Sequence, residues 1–115
     1  MKHIQDYYAA AIGEFEQIVL MALLRLGNGA YGAAIRRHIE DRTGRKVSVS
    51  AVYVTLQRLE EKGMVVSYVG PATPQRGGRR RRHYLMDTEG ARALGRAYRT
   101  FKVMSDGVES ELDAL

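Results

Sequence analysis

The stretch from Ser48 to Gly63 constrains this chain most. It reads Ser48-Val49-Ser50-Ala51-Val52-Tyr53-Val54-Thr55-Leu56-Gln57-Arg58-Leu59-Glu60-Glu61-Lys62-Gly63. A serine at its head suits an N-cap, because the hydroxyl accepts a hydrogen bond from an amide that the first turn leaves unpaired. Val52, Leu56 and Leu59 recur at i, i+4 and i+7, flanked by Val49 and Thr55, which predicts a short amphipathic helix with that stripe in a core. The other face carries Ser50, Val54, Gln57, Arg58 and Glu61, with Tyr53 at its edge. Shortly afterwards comes Arg76-Gly77-Gly78-Arg79-Arg80-Arg81-Arg82-His83-Tyr84, a basic run hinged on glycine. The rest of the chain must supply a core for the helix and a support for the basic run.

The sequence between the two features predicts a hairpin. Met64 to Val69 is rich in β-branched and aromatic residues and reads as a strand. Gly70 to Gly78 contains both prolines and reads as a loop, longer than the usual two- to five-residue hairpin connection. Long loops of this kind are more often functional than idle. Arg81 to Met86 is the returning strand, with Tyr84 and Met86 on one side and His83 and Leu85 on the other.

Upstream, Ile4, Tyr7, Tyr8, Ala11 and Ile12 give weak helical spacing over Lys2 to Ile12. Glu14 to Leu26 predicts a strong helix whose stripe is Phe15, Ile18, Val19, Ala22, Leu23 and Leu26. Leu20 and Leu24 widen that stripe, so burial on more than one side is expected. Glu14 and Glu16 in the first turn and Arg25 in the last suit the helix dipole, and Gly27-Asn28-Gly29 ends the helix. Ala30 to Thr43 reads as a second helix, with Tyr31, Ile35 and Ile39 in register, stopped by Gly44.

Downstream, Asp87 or Thr88 caps a last helix. Ala91, Leu94, Tyr98, Phe101, Ser105, Val108 and Leu112 follow heptad spacing. Ser105 is polar, and Gly95 and Gly107 weaken the helix. A helix from Thr88 to near Leu112 would be roughly 36 Å long and would project from a small domain. Its apolar seam needs a cover: a second copy is the simplest one, and folding back on its own domain is the alternative. The expected architecture is mainly α with a small β-hairpin wing. It divides into an N-terminal helical arm (1–12), a helical domain with the hairpin (13–87) and a long C-terminal dimerisation helix (88–115).

Charge narrows the function. The formal net charge is +5, and Arg76 with Arg79 to Arg82 accounts for all of it, so the asymmetry is local. A local basic patch fits a polyanion such as nucleic acid. The chain has no cysteine, which removes disulfides and thiolate metal sites and fits a reducing cytoplasm. The apolar run Ile18 to Leu24 is too short to span a bilayer, and no signal peptide is expected at the N-terminus. His3, His38 and His83 have no metal-ligand spacing, no glycine-rich loop opens a helix, and no Ser, His, Asp set stands out. No catalytic residue, metal or cofactor is therefore expected, and the histidines read as surface or groove side chains.

The residues also resemble the PadR family of bacterial transcription regulators. The matching stretches are Gly13-Glu14-Phe15-Glu16 with Leu20-Met21-Ala22-Leu23-Leu24, Ala30-Tyr31-Gly32, and Val52 through Val65. The basic wing Arg79 to Tyr84 and Thr88-Glu89-Gly90 complete the set. Together they cover nearly the whole chain. Val54 stands where the family often has proline, Met86-Asp87-Thr88 replaces the usual Leu-Thr, and the short C-terminal part looks like the compact branch.

The resemblance implies a winged helix-turn-helix and a homodimeric repressor on an inverted repeat in double-stranded DNA. The helix from Ser48 would read the major groove, and the wing would reach the backbone or minor groove. Ser48, Ser50 and Tyr53 have hydroxyls for phosphate, while Gln57 and Arg58 are long enough for base edges, with Val54 beside them. Arg76, Arg79, Arg80, Arg81, Arg82 and His83 form the wing's contact set. Some relatives sense planar aromatic compounds, so Tyr7, Tyr8, Tyr98, Phe101 and Met104 are candidates to line an effector pore at the dimer interface; plain dimer packing competes. A winged-helix module that binds protein is the other functional reading, but such domains usually lose the basic wing.

Overall fold

The computed structural model describes residues 11–71 and 80–115. Its elements run α1 (Glu14–Leu26), β1 (Ala30–Tyr31), α2 (Gly32–Thr43), α3 (Val49–Glu61), β2 (Val65–Val69), β3 (Arg82–Met86), α4 (Thr88–Ser105) and α5 (Glu109–Asp113). The Lys2 to Ile12 spacing, Tyr7, Tyr8, Arg76, Arg79 and most of the Gly70 to Gly78 loop lie outside the described residues.

Helix α1 starts where Glu16 accepts the Gly13 amide at 2.9 Å and stops at Gly27, whose φ is +91°. It buries Val19, Leu20, Ala22 and Leu23 among α2, α3, α4 and β3. The expected widening is half met. Leu20 is fully buried, but Leu24 is 59% exposed and Leu26 is also exposed. The cover over Leu20 does not extend another turn, and Leu24 instead borders a groove beside α4.

The second helix begins later than its sequence predicts. Ala30 and Tyr31 form a short strand that pairs with Tyr84 and His83, and the Gly29 amide donates to the Tyr84 carbonyl at 2.9 Å. Pairing with a distant strand overrides the local helical spacing, and α2 starts at Gly32. The sheet is antiparallel with order β1-β3-β2. Val65, Ser67, Val69, Arg82, Tyr84 and Met86 share one face, which packs on the helices through Val65 and Tyr84. Val66, Tyr68, His83 and Leu85 share the outer face, as the alternation predicts.

Helix α3 forms as its pattern dictates. Ser48 Oγ accepts the Ala51 amide at 3.0 Å, and the helix ends at Lys62, followed by Gly63 with φ +75°. Val52, Thr55, Leu56 and Leu59 are buried. Val49 is exposed, because it precedes the first turn that the core covers. Lys62 ties the end of α3 back to α1 through a 2.9 Å ion pair with Glu16.

Helix α4 begins where Asp87 Oδ2 accepts the Glu89 amide and the Asp87 amide donates to the Met64 carbonyl. Ala93 and Leu94 join the common core. The expected continuous helix to Leu112 is broken. Ser105 is the last residue of α4, Asp106 turns extended with ψ 124°, and Gly107 takes φ +80°. Glycine adopts that left-handed backbone without the steric cost borne by other residues. Val108 and Leu112 consequently belong to the separate segment around α5, off the straight seam that runs through Tyr98 and Phe101.

Candidate nucleic-acid interface

Helix α3 divides sharply. Opposite its four buried residues, Ser48, Ser50, Tyr53, Val54, Gln57 and Arg58 are all exposed. Neither α2 nor α3 carries an acidic residue in its first turn, whereas α1, α4 and α5 do. Helix α2 also has no side-chain cap. A helix start with open amides and no acid has partial positive charge that favours an anion.

Tyr53 links these two helix starts. A Cβ on Gly32 would lie 2.5 Å from Tyr53 Cζ, so the ring packs across the first residue of α2 only because that residue is glycine. The ring remains 38% exposed. Tyr53 is therefore both a packing residue and available to a partner.

Arg81 and Arg82 point to opposite sides where the chain enters β3. Arg82 Nη1 donates to Ser67 Oγ at 2.9 Å, and that hydroxyl donates to Glu60 Oε2 at 2.8 Å. Arg81 lies on the other side, its guanidinium 4.2 Å over the Tyr31 ring. Arg80, like Arg81 and Arg82, is exposed.

His83 is woven into the outer face rather than presented from a bare surface. It stacks on Tyr68 with ring centroids 5.1 Å apart and meets Tyr31 edge-on at 6.0 Å. Its Nδ1 lies 2.6 Å from the Gly29 carbonyl oxygen, so that nitrogen carries the proton. His38 is also half-buried, and its Nε2 has no hydrogen-bond partner among the described residues. Both histidines are half-buried, as groove side chains are, and His3 lies outside the described residues. The reason for His83 is its place at the centre of a cross-strand row, Tyr31-His83-Tyr68.

Behind the wing, burial pushes the Tyr84 hydroxyl pKa above its ordinary value of 10.0; the Arg82 charge opposes the shift, while Glu60 and Tyr53 add to it. No group of three or more His, Cys, Asp or Glu among the described residues could hold a metal ion.

The predicted seam residues separate by burial. Leu94 is buried in the chain's own core, while Ala91 and Leu112 are exposed and Val108 is half-buried. Tyr98 is 54% and Phe101 72% exposed, and Met104 is exposed beside them. Met21, Leu24, Met86, Leu94, Gly95 and Tyr98 line an almost wholly apolar groove of about 330 Å³.

The sequence assigned no role at this site to Glu60, Ser67, Tyr31, Gly32 or Tyr68. The period-two pattern of the strands places Ser67 on the helix-facing side, but only the register brings Arg82 within its reach.

Three helices, a three-stranded sheet with a basic wing and a half-exposed third helix define a winged helix-turn-helix. The model of the transcriptional regulator PadR-like family matches residues 19–96, and the chain belongs to that family. Its members are transcriptional regulators and not enzymes. No curated protein matches the chain. Among solved structures, it is similar to a PadR family transcription regulator from Clostridium difficile R20291. The two are 22% identical, cover 87% of this chain and 99% of that one, and have a TM-score of 0.71. A PadR family transcriptional regulator from Eggerthella lenta DSM 2243 is 27% identical over 86% of this chain and 84% of that one, with a TM-score of 0.66. The fold is also that of F93 from STIV, a winged-helix DNA-binding protein, at 15% identity, 92% and 98% coverage and a TM-score of 0.66. Among the described residues, no helix is long and apolar enough to cross a membrane.

Proposed function

We propose that this protein is a homodimeric, sequence-specific DNA-binding repressor that recognises an inverted-repeat operator. The observation that carries the reading is the divided surface of α3: one face anchored in the core, the other exposing Ser48, Ser50, Tyr53, Val54, Gln57 and Arg58. In a major groove, Gln57 and Arg58 would reach base edges, and the Ser48, Ser50 and Tyr53 hydroxyls would take phosphate oxygens. The uncapped start of α2 would take another phosphate. Arginines of the wing would lie against the backbone or in the minor groove, where guanidinium groups are favoured.

The test is binding to duplex DNA over a salt series, for wild type and a variant with Arg79 to Arg82 changed to alanine. Each phosphate contact adds about 0.9 to the slope of log affinity against log salt. A steep slope in the wild type and a shallower one in the variant support the reading. No binding at low salt would shift it to a protein-interaction module. Transcription from an operator-bearing promoter, with and without the protein, distinguishes repression from activation.

Dimerisation would use the exposed side of α4 around Tyr98 and Phe101. The apolar groove under Tyr98 favours a second reading, in which a planar aromatic effector sits between the copies. Titration with such compounds should then change tyrosine fluorescence and DNA affinity together; a response in neither leaves plain dimer packing.

A further inference from the structure

The two DNA-facing elements are joined by a directional chain of hydrogen bonds. Glu60 sits on the last turn of α3, Ser67 in the middle of β2, and Arg82 at the start of β3. The Ser67 hydroxyl has one proton, and it goes to Glu60 Oε2 at 2.8 Å. Its lone pair is then presented to Arg82 Nη1 at 2.9 Å. Arg82 is opposite Val69 in the register, and Ser67 is opposite Tyr84, so the guanidinium reaches diagonally across the hairpin on the face that looks toward α3. Both ends of the chain are charged, which strengthens and shortens such bonds.

We propose that Glu60, Ser67 and Arg82 form a clamp that fixes the β2–β3 hairpin relative to α3, with Arg82 as a positioning residue for Arg80 and Arg81. The inference rests on the DNA-binding reading above and divides its basic run by role. Arg81, one residue earlier, points to the opposite face and lies on Tyr31. Arg82, though exposed, lies on the helix-facing side and is tied to the clamp. Its positive charge also offsets the charge of Glu60 at the other end of the chain. A wing held at one angle loses less freedom on binding, so the clamp raises affinity without touching a phosphate.

Ser67→Ala breaks the chain without changing any charge. Expected for Ser67→Ala is a loss of about three- to tenfold in affinity for the cognate duplex, with the salt slope and thermal midpoint unchanged. Ser67→Thr, which keeps a hydroxyl, should recover most of the loss. Arg82→Ala should lose a similar factor, and the double variant no more than the larger single loss, because the two residues act through one chain. Arg80→Ala, by contrast, should flatten the slope by about 0.9.

The proposal is overturned if Ser67→Ala binds as wild type while Arg82→Ala flattens the slope, since Arg82 would then be a phosphate ligand. Amide hydrogen exchange without DNA gives an independent readout. In Ser67→Ala the amides of Tyr68, Val69, Arg82 and His83 should exchange faster, while those of α1 and α3 stay as in wild type. Unchanged exchange across the hairpin also overturns the clamp. If the wild type binds no duplex at all, the DNA-binding reading fails, and the exchange result alone decides whether the clamp exists.

Discussion

Two glycines in α4 carry opposite instructions. A Cβ on Gly90 would run into the carbonyl oxygen of Met64, a backbone atom that cannot swing aside, and the Asp87 amide bonds that same carbonyl at 3.0 Å. A Cβ on Gly95 would meet only the guanidinium end of Arg99, at 3.1 Å, which is free to move. Gly90→Ala should therefore cost about 1–3 kcal/mol through overpacking. Gly95→Ala should stabilise by about 0.4–1 kcal/mol, because alanine loses less backbone entropy in a helix. Denaturant unfolding of the two variants checks the pair of signs.

Tyr84 supplies a pH dependence at the same scale. Burial raises its hydroxyl pKa above 10.0, so the folded state favours the neutral phenol more than the unfolded chain does. That contribution is complete below pH 10 and is lost as pH rises from 10 through the folded-state value. Tyr84→Phe should flatten the fall of stability above pH 10 relative to wild type, as read by unfolding at pH 8 and at pH 11. An equally steep fall in the variant would assign the alkaline loss to other tyrosines.

At the scale of elements, the start of α3 combines a cap with a candidate contact, and two substitutions separate them. Ser48→Ala removes the bond to the Ala51 amide and should cost about 1 kcal/mol of stability. Ser48→Asp keeps a cap and adds a negative charge at the positive end of the helix dipole, so stability should hold. The same charge would face phosphates, so DNA affinity should drop more in Ser48→Asp than in Ser48→Ala. Thermal melts and duplex titrations of both variants test this, and equal DNA affinities would remove Ser48 from the interface.

Helix α3 was legible because cap, stripe and terminating glycine agree within one short segment, and local agreement of that kind specifies structure strongly. The face alternation of β2 and β3 was legible for the same reason. What was hidden depends on residues far apart in sequence. Ala30 and Tyr31 become strand through β3, and Leu94 enters the protomer's core although heptad spacing places it on a seam. Gly107 was visible as a weak point of the last helix, yet its turn into the left-handed region is what divides α4 from α5. At the candidate interface, the outward side chains of α3 were readable from period alone. Both the bond from Arg82 to Ser67 and the stacking of His83 follow from strand register and were not.

For the whole molecule, the same helix that completes the core also leaves Tyr98, Phe101 and Met104 exposed, where we propose that a second copy docks. Leu94 faces inward and Phe101 outward on α4, so substitutions at the two positions should act on different equilibria. Leu94→Ala should destabilise the protomer by about 2–5 kcal/mol, the range for a buried leucine. Phe101→Asp should leave the protomer folded, because the ring is 72% exposed, but should place a desolvated charge in any interface that covers it. Light scattering should then report a monomer, with circular dichroism unchanged. Loss of the dimer should also weaken binding to a two-half-site duplex toward that of one half-site, since the linked second contact is no longer intramolecular. A Phe101→Asp protein that stays dimeric would move the interface away from α4, and one that unfolds would show the ring to be part of the protomer's own packing.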